Sequence, residues 1–420
     1  MSIIPVTPFA PGIARGKVSR NREAILSDSI VLLRQQNLAA FTSKPAGIIV
    51  IEGAPLSHPM IHLLRLGIPV VIIPGEQAGE LEEDMEITID GYRGRIMQSA
   101  DSTSATACVP EIPPAGRPII LNDGSRVALR ASIYGSDDAS LALRQGAESI
   151  GLVRTEFIVP ADGSMPDADF YRHELARLCT AAESLAVTLR LPDIAADKQV
   201  PWLEPLAGLT GPLGLQGIRL YHQRRVRAVL DAMIEAVNSL SAEYKLSLLL
   251  PYVVRHDEFI HWRTVIQQQL QRPLPIGVMA ETPSAVLALA NWFDVADFVA
   301  IGCNDLMQCL FAADRDIAQL RHYLDPYSPQ LYAFLQQAAA SAAGNIERVQ
   351  VCGLLAQFPG VLPVLLGLGF RNFSVAPAVI PHLAATVKDV DLDQARELAR
   401  QVCAARDSQQ VGELLGLRAG

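Results

Sequence analysis

Two rhythms of apolar and polar positions divide this 420-residue chain. As far as Gln98 the pattern is short apolar runs, such as GIIVIEG and IPVVII, with one clear helical stretch between them. In that stretch Met60, Ile61, Leu63 and Leu64 form an apolar stripe with helical spacing. Pro59 suits the first helical position and Gly67 supplies a stop, so Ser57 or His58 falls at the cap. The His58 imidazole then lies beside open backbone N–H groups and the positive end of a helix dipole, where an anion is stabilised. On this segment alone three readings stand: a capping residue, a metal pair with His62, or a nucleophile that accepts an anionic group such as phosphoryl.

From Ser99 to Pro118 the chain reads SADSTSATACVPEIPPAGRP, with no helical or strand period, and is expected to be a proline-stiffened linker. Fully extended it could reach roughly 60 Å, at about 3.3 Å per residue. Beyond it apolar strand cores recur at VALRASI, SIGLVRT, VTLRLPD, LSLLLPY, PIGVMAE, FVAIGCN, VQVCGLL and NFSVAPA. Helical stretches such as DDASLALRQGA, DADFYRHELARLCTAAES and DEFIHWRTVIQQQL separate them. That alternation predicts a (β/α)8 TIM barrel. An open doubly wound sheet is the alternative, and no GxGxxG turn supports it. The expected organisation is a small α/β domain over 1–98, a linker over 99–118 and a barrel over 119–420.

Composition narrows the partners. Half the residues are hydrophobic and the net charge is −9, which argues against a general nucleic-acid or membrane-surface binder. Six cysteines show no CxxC pairing, so neither a zinc knuckle nor a disulfide framework is expected. The opening MSIIPVTPFAPG lacks a secretory pattern and no run reaches bilayer length, so the expected location is the cytoplasm.

A barrel carries its chemistry at the C-terminal ends of its strands. Here those ends hold Arg154, then Arg190 and Asp193 (with Asp197 and Lys198 just beyond), Glu281, Asn304 with Asp305, and Cys352. Singly each has a plain explanation: a helix cap for Asp305, an ion pair of Arg154 with Glu156, a buried small hydrophobe for Cys352. Together they describe a site. Glu281 and Asp305 are hard oxygen ligands suited to Mg2+ or Mn2+. Arg154, Arg190, Arg219 and Arg315 are permanent cations whose planar forks match phosphate and carboxylate oxygens. The ring suits a small phosphorylated carboxylate bound through a divalent metal, with a histidine on a tethered domain as acceptor.

Several segments, in one order along the chain, resemble the phosphoenolpyruvate-utilising enzymes, and most closely the enzyme I group of the sugar phosphotransferase system. They are PGIARGK, LSHPMIHLLRLGIP, GAESIGLVRTEF, GVMAETPSA, IGCNDLMQ, AADRD and DPYSP. The resemblance implies a swivelling phosphohistidine domain with His58 as the phosphorylated residue, beside a barrel of the phosphoenolpyruvate/pyruvate type. It further implies that Arg154, Arg190, Arg219 and Arg315 bind substrate with Asn304 beside them, that Glu281 and Asp305 hold Mg2+, and that Cys352 protonates the enolate to pyruvate. The partners implied are phosphoenolpyruvate, pyruvate and a phosphoacceptor protein or small molecule, and the assembly it allows is a homodimer through the barrel.

The departures are specific. Only residues 21–46 join the opening motif to GIIVIEG, so the family's helical phosphocarrier-docking domain is absent at that position. The GxRAxR pattern reads GLQGIRL, with Gln216 in place of the first arginine; Cys-Gly-Glu ends in Leu354, and DIGGDK reads DIAADK. The reading is therefore a phosphotransferase that moves phosphoryl from phosphoenolpyruvate to His58. The rival is a weakly catalytic or non-catalytic module that senses phosphoenolpyruvate.

Overall fold

The computed structural model describes residues 2–20, 27–38, 44–98, 110–195, 200–203, 211, 213–342 and 344–417. Asp197, Lys198 and the 99–109 part of the expected linker lie outside them. The chain forms two compact units, one of Met1–Glu111, Arg315–Leu324 and Gly416–Gly420, the other of Ile112–Asp314 and Asp325–Leu415.

The first unit is built on an eight-stranded mixed sheet. Ile13–Ser19, Ser29–Arg34, Gly47–Ile51 and Val70–Ile73 run parallel at its centre. Glu86–Asp90 and Arg95–Gln98 extend it antiparallel beyond Ile13–Ser19. Ser2–Pro5 and Thr7–Ala10, separated only by Val6, pair with opposite edges of the sheet, Arg95–Gln98 and Val70–Ile73. The sheet therefore curls around its apolar interior, where Ile30, Ile49, Ile73, Ile87 and Ile96 are fully or almost fully buried. Gly47–Ile51 and Val70–Ile73 are buried at every position because both faces are covered.

The one α-helix among the described residues of this unit, His58–Leu63, follows the central strand Gly47–Ile51. Its cap is Ser57, which makes His58 the first helical residue and shifts Pro59 to the second. The Ser57 hydroxyl donates back to the Ala54 carbonyl at 2.8 Å and accepts from the Gln35 amide at 3.0 Å, so it does not cap the first-turn N–H groups. A 3-10 turn continues to Leu66, and Gly67 ends it at φ +61, a left-handed position that glycine adopts without steric cost.

In the second unit eight parallel strands close on themselves: β1 Arg126–Ile133, β2 Ile150–Val153, β3 Val187–Arg190, β4 Leu246–Leu250, β5 Ile276–Ala280, β6 Val299–Gly302, β7 Val349–Cys352 and β8 Asn372–Val375. β1 pairs with both β2 and β8, which makes the sheet a barrel. The surrounding helices include Ser136–Arg144, Ala168–Ala182, Arg224–Leu240, His256–Gln269 and Pro329–Ser341. Each expected strand core and each quoted helix is present. Two caps aim the chain at the barrel mouth: the Asp167 carboxylate accepts from the Phe170 N–H at 2.8 Å, and the Thr282 hydroxyl accepts from the Ala285 N–H at 3.3 Å, one residue after Glu281. Among the described residues no helix is long and apolar enough to cross a membrane.

Candidate functional site

Within the first unit the His58 side chain meets two residues of the Arg315–Leu324 segment. Nδ1 lies 3.1 Å from the Asp316 carboxylate, and the His58 backbone N–H donates to the same carboxylate at 3.3 Å. Nε2 lies 3.0 Å from an Arg315 guanidinium nitrogen. A carboxylate can only accept and a guanidinium can only donate, so the network fixes the tautomer: Nδ1 carries the proton and Nε2 presents its lone pair. Burial pushes the Asp316 carboxyl up, but the hydrogen bonds from His58 together with the Arg315 charge outweigh it and hold the group below its ordinary range. Asp316, with no metal-like spacing to His58 in the sequence, supplies the orienting partner.

In the second unit the end of β3 collects charge. Arg190 is 2 % exposed and pairs with Glu156, with Asp193 at 2.9 Å and with Glu281 at 3.9 Å. The plain reading that joined Glu156 to Arg154 is corrected here: Glu156 belongs to Arg190. The Thr155 hydroxyl donates to the Arg190 carbonyl at 2.5 Å, locking the ends of β2 and β3 together. Arg154 is different. It is 9 % exposed, its guanidinium lies 5.5 Å from the centre of the Tyr134 ring, and among the described residues no hydrogen bond or ion pair meets its side chain. The Nε atoms of both Arg154 and Arg190 are buried without an acceptor. Buried donors are ordinarily paired, and a buried cation without a counter-ion costs several kcal/mol. An anionic ligand is the natural complement.

Glu281 ends β5 and is 2 % exposed. Its Oε2 accepts from the Tyr252 backbone N–H at 3.0 Å. Gly302 makes room for it: a Cβ on that glycine would lie 2.5 Å from the Glu281 Oε1. Asp305 stands in the first turn of the helix Cys303–Leu310, directly after β6. The Cys309 thiol registers the convergence of this side of the mouth. Burial pushes its pKa up, the Tyr252 hydroxyl lowers it, Asp305 and Glu281 raise it, and Arg219 lowers it. Among the described residues no group of three His, Cys, Asp or Glu side chains is arranged to hold a metal ion. Two hard carboxylates do fit Mg2+ or Mn2+, because such ions complete their shell with water and substrate oxygens.

Asn304 has a structural task as well. Its side-chain oxygen accepts from the Leu354 N–H at 3.0 Å, which pins the turn after Cys352 and aims its amide donors away from that bond. Gly353 makes this turn at φ +95, and a Cβ there would strike the Asn304 oxygen at 2.7 Å. Leu354, the departure from the acidic pattern, is buried.

Cys352 faces the barrel interior with Gln350, two residues earlier on the same face of β7. The Gln350 amide donates to the Cys352 sulfur at 3.1 Å and to the Gly151 carbonyl at 3.0 Å, while its oxygen accepts from Arg130 at 3.1 Å. Burial pushes the thiol up to about 11, against the opposing pull of Gln350, Arg154 and Arg130 and with a push from Glu281. At neutral pH it is a protonated group. Gln350 and Arg130 are site supports that the sequence reading passed over; their signal is a polar residue on the inward face of an otherwise apolar strand.

The turn 217–220 brings in the last cation. Gln216 is buried, and Arg219 donates to the Gly214 carbonyl at 3.2 Å with its guanidinium 5.2 Å from the centre of the Tyr252 ring. Arg154, Arg190, Arg219, Asn304, Glu281, Asp305 and Cys352 thus all surround the C-terminal mouth of the barrel. His58 and Arg315 sit together in the first unit.

The chain matches two family models, "PEP-utilising enzyme, PEP-binding domain" over residues 115–392 and "PEP-utilising enzyme, mobile domain" over residues 32–94. It is 30% identical over 390 residues to the multiphosphoryl transfer protein of Xanthomonas campestris pv. campestris, covering 89% of this chain and 46% of that protein. It is also 30% identical over 375 residues to the phosphoenolpyruvate-protein phosphotransferase of Streptomyces coelicolor, covering 87% and 66%. The counterpart from Haloferax volcanii is 29% identical over 391 residues, covering 89% and 68%. The chain spans about half the length of the first relative and about two thirds of the others. Matched in both its barrel and its histidine-bearing region, this chain belongs to the phosphoenolpyruvate-utilising enzyme family.

Proposed function

We propose that this chain transfers the phosphoryl group of phosphoenolpyruvate to Nε2 of His58 and passes it on to an acceptor, releasing pyruvate, in the cytoplasm. The observation that carries the reading is Arg154, a largely buried arginine at the mouth of the barrel whose side chain meets no hydrogen-bond acceptor or carboxylate among the described residues. In this reading residues 1–98 swivel on the linker 99–118 and residues 119–420 bind phosphoenolpyruvate. Incubation with labelled phosphoenolpyruvate and Mg2+, followed by a search for acid-labile label on the protein, tests it.

The chemistry follows from the residues. Phosphoryl transfer passes through a loose transition state in which positioning and charge neutralisation do most of the work. Arg154, Arg190 and Arg219 bind the phosphoryl and carboxylate oxygens, and Arg315 holds the Nε2 side of His58. Glu281 and Asp305 would hold Mg2+ or Mn2+, which when bound would supply positive charge to offset that of the phosphoryl and enolate oxygens. The P–O bond to the enol carbon skeleton breaks as the His58 Nε2–P bond forms. The enolate then takes the Cys352 proton at its methylene carbon and becomes pyruvate. A thiol held up to about 11 keeps that proton until the carbanion-like carbon demands it.

Cys352→Ala is expected to leave His58 phosphorylation detectable while pyruvate release slows by roughly 10²-fold, the lower range for loss of a positioned acid. Rapid-quench measurement of phosphoprotein and pyruvate in the same samples separates the two steps. Equal pyruvate formation in mutant and wild type would leave Cys352 as packing alone.

Gln216 and Leu354, both uncharged and buried where the family pattern has charged residues, favour a second reading, a phosphoenolpyruvate-sensing regulatory module. Glutamine donates a hydrogen bond but neutralises no charge. If Gln216 limits an active site, Gln216→Arg should speed single-turnover labelling of His58 by about one to two orders of magnitude, about 1.4 kcal/mol for each tenfold step. An unchanged or slower rate would show a site rebuilt around Gln216.

A further inference from the structure

Tyr252 stands two residues beyond β4, in a sequence of unbroken apolar character, and no part of the chemistry above uses it. Three observations single it out. It is one of the non-glycine residues with positive φ, +51, in the left-handed region that a side chain with a Cβ rarely adopts. That turn aims its N–H at the Glu281 Oε2, 3.0 Å away. Its ring carries the Arg219 guanidinium 5.2 Å from the ring centre. The left-handed backbone is also held from outside. Gly217, itself at φ +52, packs so closely that a Cβ on it would lie 2.8 Å from the Tyr252 Cβ and 3.1 Å from the Pro251 carbonyl oxygen. The Gln216–Gly217 turn and the Pro251–Tyr252 turn therefore seat one another.

We infer that Tyr252 is a positioning residue that couples the two halves of substrate recognition, its backbone N–H orienting the metal-facing carboxylate of Glu281 and its ring seating the anion-facing cation of Arg219. The inference rests on the phosphoenolpyruvate reading of the barrel. The two tasks use separable parts of one residue. Loss of the ring removes the seat of Arg219 and leaves the backbone turn. A push on the turn removes the N–H from Glu281 and leaves the ring. The hydroxyl does neither: it faces the Cys309 sulfur at 3.9 Å, and burial keeps its proton on.

The test uses the full chain with two binding measurements that need no turnover: Mn2+ affinity by electron paramagnetic resonance, and phosphoenolpyruvate affinity by calorimetry with Mn2+ saturating. Tyr252→Phe should match wild type in both. Tyr252→Leu should weaken phosphoenolpyruvate binding about three- to tenfold, the scale of one cation–π contact, and change Mn2+ affinity less than twofold. Gly217→Ala, which forces the turn aside, should weaken Mn2+. The double variant Tyr252→Leu with Arg219→Ala should lose no more phosphoenolpyruvate affinity than Arg219→Ala alone, because one residue acts through the other. Additive losses in that cycle, or Tyr252→Leu and Gly217→Ala at wild-type values while Arg219→Ala and Glu281→Gln are impaired, would overturn the positioning role alone. Wild-type binding in Arg219→Ala and Glu281→Gln themselves would overturn the phosphoenolpyruvate reading and this inference with it.

Discussion

His58→Ala is expected to abolish the acid-labile label that phosphoenolpyruvate and Mg2+ place on the wild-type chain. The expectation follows from the tautomer. With Nδ1–H donating to Asp316 and Nε2 facing the Arg315 guanidinium, the lone pair points to where an incoming phosphoryl oxygen would meet a cation. A carboxylate behind an imidazole also fixes the ring's tautomer and direction, as an aspartate does for a catalytic histidine. Alanine keeps the first helical position and Pro59, so the helix should persist and the loss would be chemical. Mass spectrometry under alkaline conditions should place the wild-type label on His58. Label that survives in His58→Ala would remove this residue from the mechanism. A wild-type chain that binds phosphoenolpyruvate and never labels would establish the sensing module instead.

The barrel was legible because its strands are buried on both faces. Runs such as SIGLVRT and FVAIGCN are apolar through their length, and their first polar residues mark where the sheet stops and the mouth begins. That rule located Arg154, Arg190, Glu281, Asp305 and Cys352 at strand ends or in the turns that follow. Pairing between strands was not legible. Glu156 lies two residues from Arg154 in sequence, yet it meets Arg190, because the ends of β2 and β3 adjoin in the closed sheet. The same holds for Asp316, whose bond to His58 spans 258 positions, and for Gln350, which reads as one polar residue in an apolar strand until Arg130 and Cys352 are placed beside it. The shift of Pro59 from first to second helical residue has a local cause. Ser57 spends its hydroxyl on Ala54 and Gln35, and helical geometry begins at His58.

Glu281→Gln is expected to weaken Mn2+ binding at least about hundredfold and to slow His58 labelling by about 10²- to 10³-fold, the range for loss of one group that meets developing charge. The substitution keeps shape and removes a charge, and its neighbours make it worse than a simple neutralisation. Oε2 accepts from the Tyr252 N–H and Oε1 faces the Arg190 guanidinium at 3.9 Å, so both oxygens look at donors. A glutamine must turn its own donor toward one of them, which leaves a buried N–H against an N–H. Arg190 keeps Glu156 and Asp193, so the fold should survive, and thermal unfolding would check that. Gly302→Ala supplies the matched control. It leaves every charge in place but sets a methyl 2.5 Å from the Glu281 carboxylate, and should weaken Mn2+ in the same direction by displacement alone. Phosphoenolpyruvate affinity that is equal with and without chelator, and equal in Glu281→Gln, would make Glu281 a counter-ion to Arg190 and nothing more. A loss confined to the metal-loaded state would tie the carboxylate to the metal, because a counter-ion to Arg190 matters equally whether or not a divalent cation is present.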